Sequence, residues 1–341
     1  MISACLIVRD EAYEVRDIQG NLTTNIERCL QSIVNKVDEI IVVDTGSTDS
    51  TVEVCKRYTP KVYVSELAFG ENFKFDNARN EAISYATGDW ILIIDADEEI
   101  VEPNMDVFRT LSKNENCSFC FLIDDYRAEG IVQIPSRPRL VKKENLKIVG
   151  CVHNQIKTNL TEVMIEDKIW RHYGYEDSDK RKERSKQTKK MLFRELETEC
   201  SREKIAYYNF HLGQIFMGEE NHPEARKYLK KALYIYEREE TLSYIPCQIV
   251  GYLHQIAVSN ADEAERDLYT RKIRRFTKHF IDIYYQNSIY YYRKEDWKEC
   301  KKYIELYIKY YGFESEKELT SYTAPLLNQA IINLLHCIEQ L

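Results

Sequence analysis

Four short apolar runs, SACLIVR, EIIVVDTGS, VYVSE and DWILIID, follow one another through residue 95, and the segments between them are amphipathic. In NIERCLQSIV the apolar positions Ile26, Leu30 and Ile33 or Val34 recur at helical spacing. TDSTVEVCKRY and FDNARNEAISYAT read as two further helices, the former capped by Ser47, Thr48 or Asp49. Strict strand–helix succession predicts a parallel sheet with helices on both faces, which places ligands at the C-terminal ends of the strands. SFCFLIDDY and LKIVGCVHNQI read as additional, antiparallel strands.

After about residue 178 everything reads as helix, starting from the basic link DKRKERSKQTKKMLFRELE. In IAYYNFHLGQIFMGEENHPEARKYLKKALYIY, Leu212, Gly213 and Phe216 sit in one helix and Ala225, Leu229 and Ala232 in the next. That is tetratricopeptide spacing, in which small residues let two antiparallel helices approach and large ones fill the seam. NSIYYYRKEDWKECKKYIELYIKYY is a looser echo, with Cys300 at the small position. The fold expected is therefore an α/β domain, a mostly parallel sheet with helices on both faces, over residues 1–178 and a helical, tetratricopeptide-like domain over residues 179–341. A helical bundle that merely caps the first domain fits the second half nearly as well.

The chain has 341 residues, 44% of them hydrophobic and 30% charged, an ordinary globular composition. A formal net charge of −8 argues against nucleic acid as a partner. No apolar run approaches the ~20 residues that cross a bilayer, so no integral membrane segment is expected. MISACLIVRDEA lacks the basic start and small-residue cleavage site of a signal peptide. The ten cysteines lie in apolar contexts such as SACLIV and LLHCIE, which suits reduced thiols and a cytoplasmic location. On that reading the sequons at Asn21, Asn116 and Asn159 are accidental, and the lone CSFC, Cys117 to Cys120, is strand rather than a zinc or redox site.

The fourth apolar run drives straight into a knot of like charge, WILIIDADEE. Strand alternation puts Asp95 and Asp97 on one side of the chain with only Ala96 between them. Two carboxylates at the mouth of a sheet can hold a divalent ion, and hard oxygen ligands favour magnesium or manganese bound together with a phosphate. A plainer explanation is that these acids solvate a strand end or cap a helix. Asp44 ends the second strand ahead of a tight turn at Gly46, where a carboxylate suits the donors of a base or ribose. VRDEA brings another polar cluster to the same edge. Arg79 near the start of a helix suits a diphosphate or simple solvation.

CLIVRDEA, IIVVDTGSTDST, FDNARNEAI and WILIIDADEE, in this order and spacing, resemble the family 2 glycosyltransferases of GT-A fold over roughly the first 175 residues. The resemblance implies a UDP-sugar donor and a divalent cation. It implies that Asp44 contacts uridine, that Asp95 contacts the nucleotide-sugar, and that Asp97 holds the metal on the diphosphate. Arg9, Glu11, Ser47 and Arg79 would lie around the nucleotide. With SRPRLVKKENLKIVGCVHNQI, IWRHYGYEDSDK and the helical half, the match narrows to bacterial peptide glycosyltransferases, including those that modify cysteine or serine of bacteriocins. His153 and His172 match histidines of that pattern, and His172 is either a third metal ligand, where imidazole suits manganese better than magnesium, or a satisfied core residue.

Asn154 stands where the pattern usually has glutamate, which removes a general base there. The remaining candidates for that role are Asp124, Asp125, His153, Glu176 and Asp177. The activity expected is inverting transfer of a sugar to a peptide or small protein acceptor, with self-association through the helical domain as a homodimer. The competing functions are transfer to a cell-envelope glycan, for which the basic run Lys180 to Lys190 is either a lipid contact or simply a solvated helix face, and a non-catalytic peptide-binding scaffold.

Overall fold

The computed structural model describes residues 1–17, 20–65, 73–101, 104–127, 130–150, 154–175, 178–199, 201–238, 245–276, 281–310 and 327–341. Two compact units divide the chain, Met1–Met191 and Leu192–Leu341.

The first unit begins with β1 (Ile2–Val8), the hairpin β2 (Glu14–Arg16) and β3 (Leu22–Thr24), α1 (Asn25–Ile33), β4 (Glu39–Asp44) and α2 (Thr51–Lys56). It continues through β5 (Val62–Val64), α3 (Phe75–Tyr85), β6 (Trp90–Ile93), β7 (Glu98–Ile100) and α4 (Val107–Leu111). The strands β8 (Cys117–Arg127), β9 (Gly130–Pro135), β10 (Leu140–Lys142), β11 (Lys147–Val149), β12 (Gln155–Lys157) and β13 (Thr161–Tyr175) complete it. Among the described residues the main sheet has nine strands in the order β5-β4-β1-β6-β10-β8-β13-β7, with β9 beside β8.

The strands β5, β4, β1 and β6 are mutually parallel, as strand–helix alternation requires. Along β1, Ile2, Ala4, Leu6 and Val8 pack on one face with Ile26, Leu30 and Ile33 of α1, while Cys5 packs on the other with Ala82 and Ile83 of α3. Period-two alternation thus puts helices on both faces of the sheet.

Beyond β6 the sheet is mixed, and here the antiparallel expectation needs correcting. β8 is antiparallel to β9 and β10 but parallel to β13. LKIVGCVHNQI does not join the main sheet among its described residues; β11 and β12 form a separate antiparallel pair. Connections as short as that between β8 and β9 cannot carry a crossover, so the chain returns antiparallel.

Helix α5 (Ser178–Thr198) runs across the division between the units. The helical unit then consists of α6 (Arg202–Gly218), α7 (His222–Tyr236), α8 (Ile245–Ser259), α9 (Glu263–Lys272), α10 (Ile281–Arg293), α11 (Trp297–Tyr310) and α12 (Leu327–Gln340). The same turn joins α6 to α7, α8 to α9 and α10 to α11. Glu220, Ala261 and Glu295 each take a positive φ of 57, 53 and 57°. Asn221, Asp262 and Asp296 follow and accept from the backbone N–H of Glu224, Glu265 and Glu299. The expected strong and degenerate repeats are the first and last of these hairpins. The middle one was legible only in its Asp262-x-x-Glu265 cap.

At the first hairpin a Cβ on Gly213 would lie 2.6 Å from Leu229. Gly213→Ala is expected to force α6 and α7 apart and to lower stability by about 2 kcal/mol, read as the shift in a urea unfolding midpoint.

His254 in α8 is fully buried, with Nδ1 2.6 Å from Gln286 Oε1 and Nε2 3.1 Å from Thr270 Oγ1. A neutral ring satisfies both, with Nδ1–H donating and Nε2 accepting from the hydroxyl. Burial pulls its pKa from 6.5 down to about 4. As pH falls through that window the unfolded chain takes up a proton that the folded one refuses, so stability is lost with acidification. We expect a loss of about 3 kcal/mol by pH 4 that His254→Gln lessens, measured by denaturant titration across the window. The eight cysteines among the described residues are free and buried, Cys117 and Cys120 on β8 included.

Candidate active site

At the C-terminal edge of the parallel strands, the loops after β1 and β4 lock together. Asp44 is buried, and its carboxylate accepts from the backbone N–H of Gly46 at 3.2 Å and of Ser47 at 3.1 Å. Gly46 has φ 108°, the left-handed turn expected there. Ser47 Oγ accepts from the Asp10 N–H at 3.0 Å, and Asp10 Oδ1 accepts from the Thr48 N–H at 2.7 Å. Thr51 Oγ1 accepts from the Glu11 N–H at 2.8 Å. Ser50 is the N-cap residue of α2 but makes no side-chain cap bond; Asp49 accepts from the Thr51 N–H at 2.9 Å. Arg9 Nε lies 3.6 Å from Asp10 Oδ2. Arg9, Glu11, Asp44 and Ser47, the residues expected around the nucleotide, are therefore brought to one rim, with Asp44 bonded to its own turn.

A polar chain leads away from that rim. Glu11 Oε2 accepts from Asn25 Nδ2 at 2.8 Å, and Asn25 Oδ1 accepts from Arg28 at 2.7 Å. The Arg28 guanidinium stacks 3.7 Å from the centre of the Tyr173 ring, whose hydroxyl donates to Glu99 at 2.7 Å.

Asp95 and Asp97 sit in the turn between β6 and β7 rather than on a strand, and Glu98 and Glu99 open β7. β6 ends at Ile93, and the Glu98 N–H bonds back to the Asp95 carbonyl at 3.0 Å. The alternation expected to align Asp95 with Asp97 has already stopped, and each carboxylate meets a different partner. Asp95 Oδ1 accepts from Arg79 Nη2 at 2.6 Å, while its Oδ2 lies 3.5 Å from Arg139 Nη1. Arg139 Nη2 donates to Glu98 Oε1 at 2.6 Å. Glu98 Oε2 accepts from the Asp95 N–H at 2.8 Å and so holds the turn. Asp97 Oδ2 faces His172 Nε2 at 3.6 Å, and His172 Nδ1 is 2.7 Å from Asp125 Oδ1.

Two arginines and an imidazole thus offset the repulsion among the four acids. Burial works to raise the Asp95 pKa, but Arg79 and Arg139 hold the carboxyl well below its usual range. Glu98 is pushed up by burial to about 7, against the pull of Arg139. Burial disfavours charge on His172, yet Asp125 and then Asp97 lift it to about 10.

The strand β8 separates the two aspartates named as bases. Asp125 is fully buried and turned to His172, whereas its neighbour Asp124 is paired across the strands with Gln133, which donates to it at 2.9 Å. His153, Glu176 and Asp177 lie outside the described residues. Sequence reasoning did not single out Glu98, Arg139 or Asn154 as structural partners here. Asn154 Oδ1 accepts from Arg79 Nε at 2.9 Å, a neutral partner that leaves the guanidinium charge for Asp95. A search for counter-charges to the acidic run would have reached SRPRL, which contains Arg139.

The donor set fits the groups the resemblance implied. Arg79 Nη1 is buried without a hydrogen-bond partner among the described residues, and an oxyanion is what such a donor accepts. Asp97 Oδ2 and His172 Nε2, at 3.6 Å, have a separation open to two ligands of one divalent ion, given metal–ligand bonds of about 2.1 Å. Among the described residues no group of three or more His, Cys, Asp or Glu is disposed around a common ion. Phosphate and water would complete the shell of a magnesium or manganese ion there.

Residues 21–128 match the family profile described as Glycosyl transferase family 2. A TPR repeat-containing protein of Synechococcus elongatus is 31% identical over 245 residues, 68% of this chain and 56% of that protein. The SPbeta prophage-derived glycosyltransferase SunS of Bacillus subtilis is 42% identical over 77 residues, 23% of this chain and 18% of that protein. Matches to these relatives thus span at most about half of their own length. The solved structure of S. aureus TarS 1-349 in complex with UDP-GlcNAc aligns over 93% of this chain and 95% of that one, at 14% identity and a TM-score of 0.41, too loosely to argue from. With the profile match lying across the strand–helix half and a repeat protein matching over two thirds of the chain, this chain carries a family 2 glycosyltransferase domain of GT-A fold followed by a tetratricopeptide-like helical unit.

Proposed function

We propose that this chain is a metal-dependent, inverting glycosyltransferase that moves a sugar from a UDP-sugar to a cysteine or serine side chain of a peptide or small protein. The observation that carries the donor half is the buried Arg79 guanidinium, oriented by Asn154 and Asp95 and with its buried Nη1 left to donate. A diphosphate oxygen is its natural acceptor. Asp97 and His172 would hold the divalent ion, which when bound neutralises charge growing on the departing UDP. The acceptor sulfur or oxygen attacks the anomeric carbon as the bond to UDP breaks, the configuration inverts, and the acceptor's proton goes to solvent or a base.

Asp125 is committed to His172, and Asp124 to Gln133. A thiol, with a pKa of about 8.5, depends less on a base than a hydroxyl does, which favours cysteine. Hairpins of tetratricopeptide type, and the likeness to a repeat protein, support a polypeptide acceptor. No helix among the described residues is long and apolar enough to cross a membrane.

Mass spectrometry of a peptide panel incubated with UDP-sugars and manganese tests the reading. A mass increase of one hexose or N-acetylhexosamine on cysteine or serine is expected. Donor hydrolysis without peptide modification would remove the acceptor claim, and modification of an envelope glycan instead would transfer it there. Absence of metal-dependent UDP binding by calorimetry would overturn the enzyme reading in favour of a scaffold.

A further inference from the structure

The parallel ladder between β13 and β8 sets His172 opposite Asp125. Its register is interrupted on both sides, between Ile165 and Trp170 and again between His172 and Tyr175. Such irregularities re-aim side chains next to a site, and here they flank the segment that carries the imidazole. Asp125 is fully buried, and its Oδ1 lies 2.7 Å from Nδ1 of the ring. Nε2, on the opposite side of the ring, faces Asp97 Oδ2 at 3.6 Å.

We propose that Asp125 is a positioning residue: it fixes the His172 ring with the proton on Nδ1, so that Nε2 is the nitrogen presented, together with Asp97, to a divalent cation. An ionised carboxylate only accepts hydrogen bonds, so the nitrogen beside Asp125 must carry hydrogen. The reverse neutral tautomer would set a bare nitrogen lone pair against a buried carboxylate. Carboxylate, imidazole and cation in a row is the arrangement by which an outer acid sets the orientation and basicity of a ligating histidine. A buried acid already bonded to the imidazole is poorly placed to take a proton from an acceptor. This removes Asp125 from the general-base role and gives it one that acts through His172. The inference rests on the metal-dependent reading above.

The test uses the full chain with UDP and manganese. Electron paramagnetic resonance counts bound Mn²⁺, and electron spin echo modulation detects a coordinated imidazole nitrogen. Wild type is expected to bind the ion with nitrogen modulation. Asp125→Asn is expected to bind it 10- to 100-fold more weakly, with the modulation reduced, while its thermal melt reports whether it folds. Unchanged affinity and modulation in a folded Asp125→Asn would overturn the proposal. Should that variant not fold, the ¹⁵N spectrum of His172 in the magnesium-loaded wild type decides. Nδ1–H with a bare Nε2 supports the assignment, and hydrogen on Nε2 overturns it. Manganese bound to wild type without nitrogen modulation overturns the positioning role and leaves metal dependence standing. No manganese binding at all overturns the metal-dependent reading and this inference with it.

Discussion

Asp97→Ala is expected to lower turnover with a UDP-sugar and manganese by roughly 10³-fold, the order that loss of several kcal/mol of cation stabilisation implies. Asp97 lies in a short turn with Asp95, directly before Glu98 and Glu99 of β7, and all four are of one sign. Its removal subtracts repulsion from that knot while also depriving His172 of a facing carboxylate at 3.6 Å. The two effects oppose each other, so the ligand-free protein is expected to keep its stability to within about 1 kcal/mol. Steady-state rates and a thermal melt on the same preparation separate the two outcomes. Full turnover in a folded Asp97→Ala would show that the turn does not hold the ion. The residue is only 8% exposed, so an unchanged melt also checks that burial alone is not its purpose.

Arg139→Met should act in the opposite sense, on stability before chemistry. Arg139 bonds to Glu98, whose side chain is only 2% exposed, and lies against Asp95 at 3.5 Å. Breaking a buried pair by removing one member leaves its partner uncompensated, and we expect a loss of about 3 kcal/mol in urea unfolding. Glu98 can answer by taking up a proton, which keeps the loss toward the low end of what such deletions cost. The double variant Arg139→Met with Glu98→Gln should recover part of the loss, because the stranded charge is then gone. If the single variant unfolded at the wild-type midpoint, Arg139 would not be what stabilises the turn. The guanidinium also lies 5.5 Å from the centre of the Trp170 ring, so methionine keeps some packing there and the comparison reads mainly on charge.

Local patterns predicted much of this. The parallel strands at β1, β4, β5 and β6 and helices α1, α2 and α3 announce themselves through period-two and helical spacing within a few residues. The α6–α7 hairpin did so too, because Gly213 and Leu229 must touch for that spacing to pay. β13 was less legible: its exposed and buried positions alternate irregularly across a register break that no local pattern foretells. The middle helical hairpin was hidden because its small and large positions depart from the usual ones, leaving only the cap at Asp262.

By itself the sequence determined which carboxylates reach the C-terminal edge of the sheet, because a buried strand carries whatever follows it to its own end. It also determined that these acids needed relief. Only the tertiary structure decided what supplies it. Arg139 stands 44 residues from Asp95, and His172 stands 47 from Asp125. Such pairings arise when distant strands are laid side by side, and charge attraction leaves no periodic trace along the chain. The same holds for Asn154, which reads as a departure in the sequence and in the folded protein is the neutral acceptor that holds Arg79.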